Sequence, residues 1–257
     1  MIKNKDYLSI TRMDATGMLR SAIGSGRITS ADDGSYELNM RMSDITPWLF
    51  IKNVSSTKCY LWHHVYFEHC DFIPTPCYSC WKIVVRPANI KAAFDFHDIM
   101  QYLDFPSKIG WEARPTVFGT FGAYFYNRSL DEAKRKLPQI QDAASRIELL
   151  KNPFTGETIK PIIKRGCTEF EHKFGPSDKW EMSEKDKLKE KTLEELITFN
   201  NKNFPQPDHR AATIFRLWIH NAFMMGDQTV SEFTGGNPLY PPYVTYQEEK
   251  ENGQITK

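Results

Sequence analysis

Between Lys58 and Trp81 the chain reads KCYLWHHVYFEHCDFIPTPCYSCW, and this stretch constrains the fold more than any other. It gathers Cys59, Cys70, Cys77 and Cys80, four of the five cysteines, with His63, His64 and His69, three of the seven histidines. Pro74 and Pro76 lack backbone N–H groups, so DFIPTPC can be neither helix interior nor central strand. A stiff loop dense in soft donors is expected there. Ahead of it KCYLWHHVYF alternates, with Cys59, Leu61, His63, Val65 and Phe67 on one side and Tyr60, Trp62, His64 and Tyr66 on the other. That period predicts a strand. On a strand Cys59 and His63 stand about 13 Å apart, too far to share one ion.

Cys70, Cys77 and Cys80 are spaced C-x6-C-x2-C. A Cys-x-x-Cys pair on a tight turn can place both sulfurs on one ion, and Cys70 reaches the same point across the proline loop. The fourth donor is expected from Cys167, Cys59 or His69. Two chemistries fit. Three loop cysteines suit a [4Fe–4S] cluster whose last iron is ligated from a distance or left open. Zinc is the alternative, but a regular zinc ribbon uses two paired knuckles and only one Cys-x-x-Cys pair exists. The interleaved aromatics and prolines favour a shielded cluster, so iron–sulfur is the leading expectation. A three-cysteine loop with one open iron is also the device of the radical SAM superfamily. The longer first gap and the strand-like WKIVV that follows depart from that pattern, so only the mechanism class is shared.

The rest of the chain reads as an α+β fold: a mixed sheet with packed helices around the Cys/His-rich loop, in a single domain over 1–245. Residues 246–257 form a polar tail expected to be disordered. PWLFIKNV and WKIVVRP predict strands, and IKAAFDFHDIMQYL a helix whose apolar face is Ala93, Phe96, Met100 and Leu103. Ser129 with Glu132 is a capping box that opens a helix. Asp104–Gly110 reads as a loop, and 113–127 as a strand or hairpin. Charged residues 182–203 and apolar residues 208–225 predict two further helices, the second nearly buried all round.

Three smaller features bear on chemistry. Cys167 lies in KRGCTEF, where Lys164 and Arg165 are expected to favour its thiolate. Along 208–225, His209, Thr213, Arg216 and His220 make one polar stripe. If it faces a pocket, Arg216 binds an anionic group and His220 moves a proton, with Asp227 joining them. Tyr124 and Tyr126 share a strand side. Lys plus Arg is 33 against 32 for Asp plus Glu, a balance that gives no field for nucleic acid. With no apolar run of membrane length and no secretory signal, a cytoplasmic setting is expected. The expected partner is a small or nucleotide-like ligand, and the expected chemistry is redox or radical.

Overall fold

The computed structural model describes residues 10–39, 46–52, 56–147, 160–198, 206, 208–240 and 242. The polar tail from 246 lies outside them. The fold is α+β with packed helices, built on two sheets. The larger has five strands in the order β3 (Trp48–Ile51), β5 (Ser107–Trp111), β6 (Phe121–Asn127), β4 (Trp81–Val85) and β7 (Ile162–Arg165), every neighbour antiparallel. The smaller has three, β1 (Ile28–Ser30), β2 (Tyr36–Leu38) and β8 (Ile197–Thr198), and its β2–β8 pair is parallel.

The two sides of the five-stranded sheet differ in chemistry because each strand alternates. Leu49, Ile51, Ile83, Val85, Ile109, Phe121, Ala123 and Phe125 are buried in one apolar core. That core is closed by α5 (Ile90–Tyr102), α6 (Leu130–Ser145) and α9 (Asp208–Met224). Asn89 caps α5 by accepting from Ala92 N at 2.8 Å, and Ser129 caps α6 by accepting from Glu132 N at 3.1 Å. Helix α6 runs unbroken through Pro138. Among the described residues of α9 only Ile214, Trp218 and Ala222 are buried, which corrects the expectation of a helix nearly buried all round. The fully buried Trp218 still satisfies its indole N–H, on Pro47 O at 2.7 Å.

The opposite side is polar. Its cross-strand rows, read from the register, are Trp48–Gly110–Gly122, Phe50–Lys108–Tyr124–Val84–Ile162 and Tyr126–Lys82–Lys164. The sequence expectation of a loop over Asp104–Gly110 is corrected here. SKIGW is β5, a short strand whose alternation is masked by a lysine and a glycine.

The KCYLWHHVYF strand is also corrected. Residues 56–70 are helical: α2 (Ser56–Leu61), a π-helical turn over Trp62–Phe67, and α3 (Glu68–Cys70). The buried residues Leu61, Val65, Tyr66 and Cys70 recur at helical spacing and pack with α1 (Arg12–Gly24) and α8 (Glu184–Leu196) in a second core. Thr11 and Asp14 form a capping box at the start of α1. In the wide turn Glu68 N–H reaches back five residues to His63 O. Asp71, at φ 59°, then ends the helix in the left-handed region. After it comes α4 (Thr75–Tyr78). Its first turn is held by the buried Glu190 carboxylate, which accepts from Thr75 N at 2.8 Å and from Thr75 Oγ1 at 2.5 Å.

Candidate metal centre

The polar side of the sheet is roofed by the π-helical turn and by α7 (Thr168–Phe174), and the reactive residues meet in that roof. Between β7 and α7 the chain makes a tight corner at Gly166 and Cys167. Gly166 sits at φ +61°, donates its N–H to Cys80 O at 2.8 Å, and accepts from Lys82 Nζ at 2.9 Å. A Cβ there would stand 2.6 Å from Trp180 Cη2. Gly166→Ala is therefore expected to cost about 1–3 kcal/mol, from overpacking and a left-handed backbone. It also shifts Cys167, so a thermal melt and a metal titration should both report the change.

Cys167 Sγ receives a hydrogen bond from Lys82 Nζ at 2.8 Å. Burial pushes this thiol up from its ordinary value of 9.0, but the Lys82 ammonium and the His63 ring overcome that and bring it down to about 5. The expectation that Lys164 and Arg165 do this holds only in part: the Lys164 ammonium feels the Cys167 charge, but Lys82 and His63 are the larger causes. Lys164 pairs with Glu171, and Arg165 turns to the carbonyls of Tyr78 and Ser177 at 2.7 and 2.8 Å. Lys82, 85 positions away in the sequence and brought to Cys167 by the pairing of β4 with β7, is the residue that counts.

His63 projects from the π-helical turn and stacks on Phe170 of α7, with ring centroids 4.7 Å apart. Phe67 also lies against Phe170, at 4.6 Å. These aromatics fix the imidazole over Cys167. Glu169 completes the group. One ligand atom each from His63, Cys167 and Glu169 lies within 4.8 Å of the other two. Glu169 Oε1 accepts from Arg114 Nη1 at 2.6 Å, whereas Oε2 is buried without a hydrogen-bond partner. Arg114 in turn donates to Glu112 Oε1 through Nε at 2.6 Å and to Oε2 through Nη2 at 2.5 Å. Tyr124 OH adds a third donor to Glu112 Oε2 at 2.7 Å. Burial alone would raise the Glu112 carboxyl; Arg114 and Tyr124 hold it below the usual range.

The cysteines named from the sequence are thus distributed differently from the expected loop clamp. Among the described residues, His63, Cys167 and Glu169 are the group of three ligating side chains that converges within bonding range; Cys70, Cys77 and Cys80 do not make one. Cys70 belongs to the second core, and burial raises its thiol to about 12. Cys77 packs with Ile73, Phe170 and Trp180, and burial raises it well above the ordinary range. Cys80 and Cys59 are half-buried beside the site; burial raises both thiols, Cys59 to about 11. His69 faces α1 instead, bonded to Ser21 Oγ at 2.8 Å and Ser25 Oγ at 3.2 Å.

The polar stripe of α9 is on the solvent side. His209, Thr213, Arg216 and His220 are exposed, and His220 Nδ1 bonds Tyr240 OH at 2.5 Å. Asp227 accepts from Ile90 N at 2.6 Å and from Thr229 N at 3.0 Å, which ties the start of α5 to the turn after α9. Sequence reasoning missed Lys82 and the partnership of His63 with Cys167. The usable signal was a lysine inside an otherwise apolar strand, WKIVV. No helix among the described residues is long and apolar enough to cross a membrane. No protein-family model matches the chain, and no curated protein or solved structure matches it.

Proposed function

We propose that the protein binds one divalent transition-metal ion of the zinc type through His63, Cys167 and Glu169. The ion staples α7 to the π-helical turn above the sheet, so the centre stabilises an interaction module in place of a redox enzyme. The observation that carries this reading is Glu169 Oε2, a buried oxygen with no partner, standing in a group with an imidazole and a thiol. A dry, unpaired carboxylate oxygen costs about 1–3 kcal/mol or more, and a cation in the shared space removes that cost. Nitrogen, sulfur and oxygen donors together suit zinc better than magnesium or calcium. Lys82 supports the sulfur from behind and Arg114 supports the carboxylate, as second-layer partners do around metals. Three protein donors leave a fourth position, and Cys59 and Cys80 are the neighbouring sulfurs that can fill it.

A [4Fe–4S] cluster is the second reading. Cys59, Cys77, Cys80 and Cys167 are close enough that the charge of one suppresses the ionisation of another. Four sulfurs in one neighbourhood suit such a cluster. Against it, among the described residues Cys59, Cys77 and Cys80 do not converge with Cys167 within bonding range.

Metal analysis of protein purified without oxygen decides between them. One equivalent of zinc is expected in colourless protein. Cys167→Ser and His63→Gln should each weaken zinc binding by at least ~10-fold, while Cys70→Ser leaves it unchanged. Brown protein that carries iron supports the second reading, and metal-free protein that takes up no zinc on titration sinks both.

A further inference from the structure

Lys82 is an unusual occupant of a central strand. It lies inside β4, is 6% exposed, and stands opposite Tyr126 on β6 and Lys164 on β7. A lysine is almost never fully buried unless it is paired. Among the described residues no carboxylate pairs with this one. Its Nζ is held by Gly166 O at 2.9 Å and by Cys167 Sγ at 2.8 Å, with the Tyr126 centroid 5.9 Å away. An amine nitrogen and a sulfur are therefore in direct contact. The backbone of the Gly166 corner holds the nitrogen from one side while the next residue presents the sulfur.

The other cysteines are placed differently. Cys70 and Cys77 fill two cores, and Cys59 and Cys80 are half-buried nearby without joining Cys167 in a converging group. What touches the Cys167 sulfur is an amine and not a second thiol. Cys167 is itself half-buried, so an oxidant little larger than water reaches it. Reacting atoms held at about 3–3.5 Å are already in an attack geometry. The Lys82 nitrogen meets that condition towards any oxidised form of the sulfur.

We propose that hydrogen peroxide joins Cys167 to Lys82 through a sulfur–nitrogen bond, a reversible sulfenamide lock between β4 and the corner that precedes α7. The Cys167 sulfur attacks one peroxide oxygen and the O–O bond breaks. The hydroxide that leaves takes one proton from the Lys82 ammonium, which gives a sulfenic acid, an amine and water. The Lys82 nitrogen then attacks the sulfur. The S–OH bond breaks, and its hydroxide takes a second proton from nitrogen as another water. Sulfur is oxidised by two electrons and one peroxide is reduced to two waters. The lock goes beyond the metal reading and does not need the ion; it removes Cys167 from the group of donors.

Mass spectrometry of chelator-treated full-length protein after hydrogen peroxide tests this. The intact mass should fall by two hydrogens with no oxygen retained. A digest made without reductant should join the peptides that carry Cys167 and Lys82, and dithiothreitol should separate them. Cys59→Ser and Cys80→Ser should keep the cross-link. Lys82→Arg keeps the positive charge but not the amine, so it should abolish the cross-link and raise dimedone labelling of the Cys167 sulfenic acid by at least ~10-fold. A disulfide from Cys167 to Cys59 or Cys80 overturns the proposal. So does wild-type Cys167 that stays dimedone-reactive while the Lys82 peptide is unmodified. Both outcomes are read on the wild-type chain, so they hold even if a variant misfolds. The sample carries no metal, so failure of the metal reading leaves the result intact.

Discussion

Replacing Glu112 with alanine is expected to lower the unfolding free energy by about 3–5 kcal/mol, the usual cost of removing one member of a buried ion pair. The Glu112 side chain is wholly buried, and its two oxygens accept from Arg114 and Tyr124. Arg86 lies at 3.5 Å from the same carboxylate. Alanine leaves the Arg114 guanidinium and a phenol without their shared acceptor, and Arg86 without its ion-pair partner, in a place that water cannot fully refill. For a chain of this size the melting midpoint should fall by an amount of order 10 °C. Glu112→Gln keeps an acceptor but removes the charge, so its loss should be smaller, about 1–3 kcal/mol. The double variant Glu112→Ala, Arg114→Ala should lose less than the two single losses added together, because the second substitution removes a cation the first one stranded. Urea denaturation followed by circular dichroism measures all of these. A Glu112→Ala midpoint within error of wild type would show that the network contributes nothing to folding.

The way this network was hidden explains how far the sequence can be read. Periodic signals were legible where one element buries one face. Asn89 and Ser129 open α5 and α6, and WKIVV is a strand, as their patterns imply. The helical segment 56–70 was misread because histidines and aromatics fall on alternate positions, while its real burial, Leu61, Val65, Tyr66 and Cys70, follows a widened helical turn. Cysteine density misled for a related reason. Cys70 and Cys77 are small apolar residues filling two cores, so nearness in sequence did not mean nearness of sulfurs. Cys167 was legible as a reactive thiol from its basic flank, yet the flank is not the main cause. Its partners, His63 and Lys82, come from a helix and a strand far away in the chain, and only the tertiary fold brings them to it.

Lys82→Met should then suppress the ionisation of Cys167 more than any other single change. In the wild type, burial opposes the thiolate and the Lys82 ammonium 2.8 Å away outweighs it, giving a value of about 5. Methionine keeps the volume and the burial but removes the charge, so the thiol should move up towards or past its ordinary value of 9.0. Each unit of that rise cuts the thiolate fraction tenfold near neutral pH, so alkylation by iodoacetamide at pH 6.5 should slow by a factor on the order of 10². Chelator-treated protein is the right sample, with the modified peptide read by mass spectrometry. Cys70, Cys77, Cys80 and Cys59 all have thiols raised by burial and should stay silent at that pH. Stability follows with a definite sign. A thiol whose folded value lies below its unfolded one contributes fully above about 9 and loses that contribution as the pH falls through about 5. Wild-type protein should therefore lose stability on acidification across that window, and Lys82→Met should lose less of it. If Lys82→Met still alkylates with an apparent value near 5, His63 alone holds the thiolate, and the lysine serves only to anchor the Gly166 carbonyl.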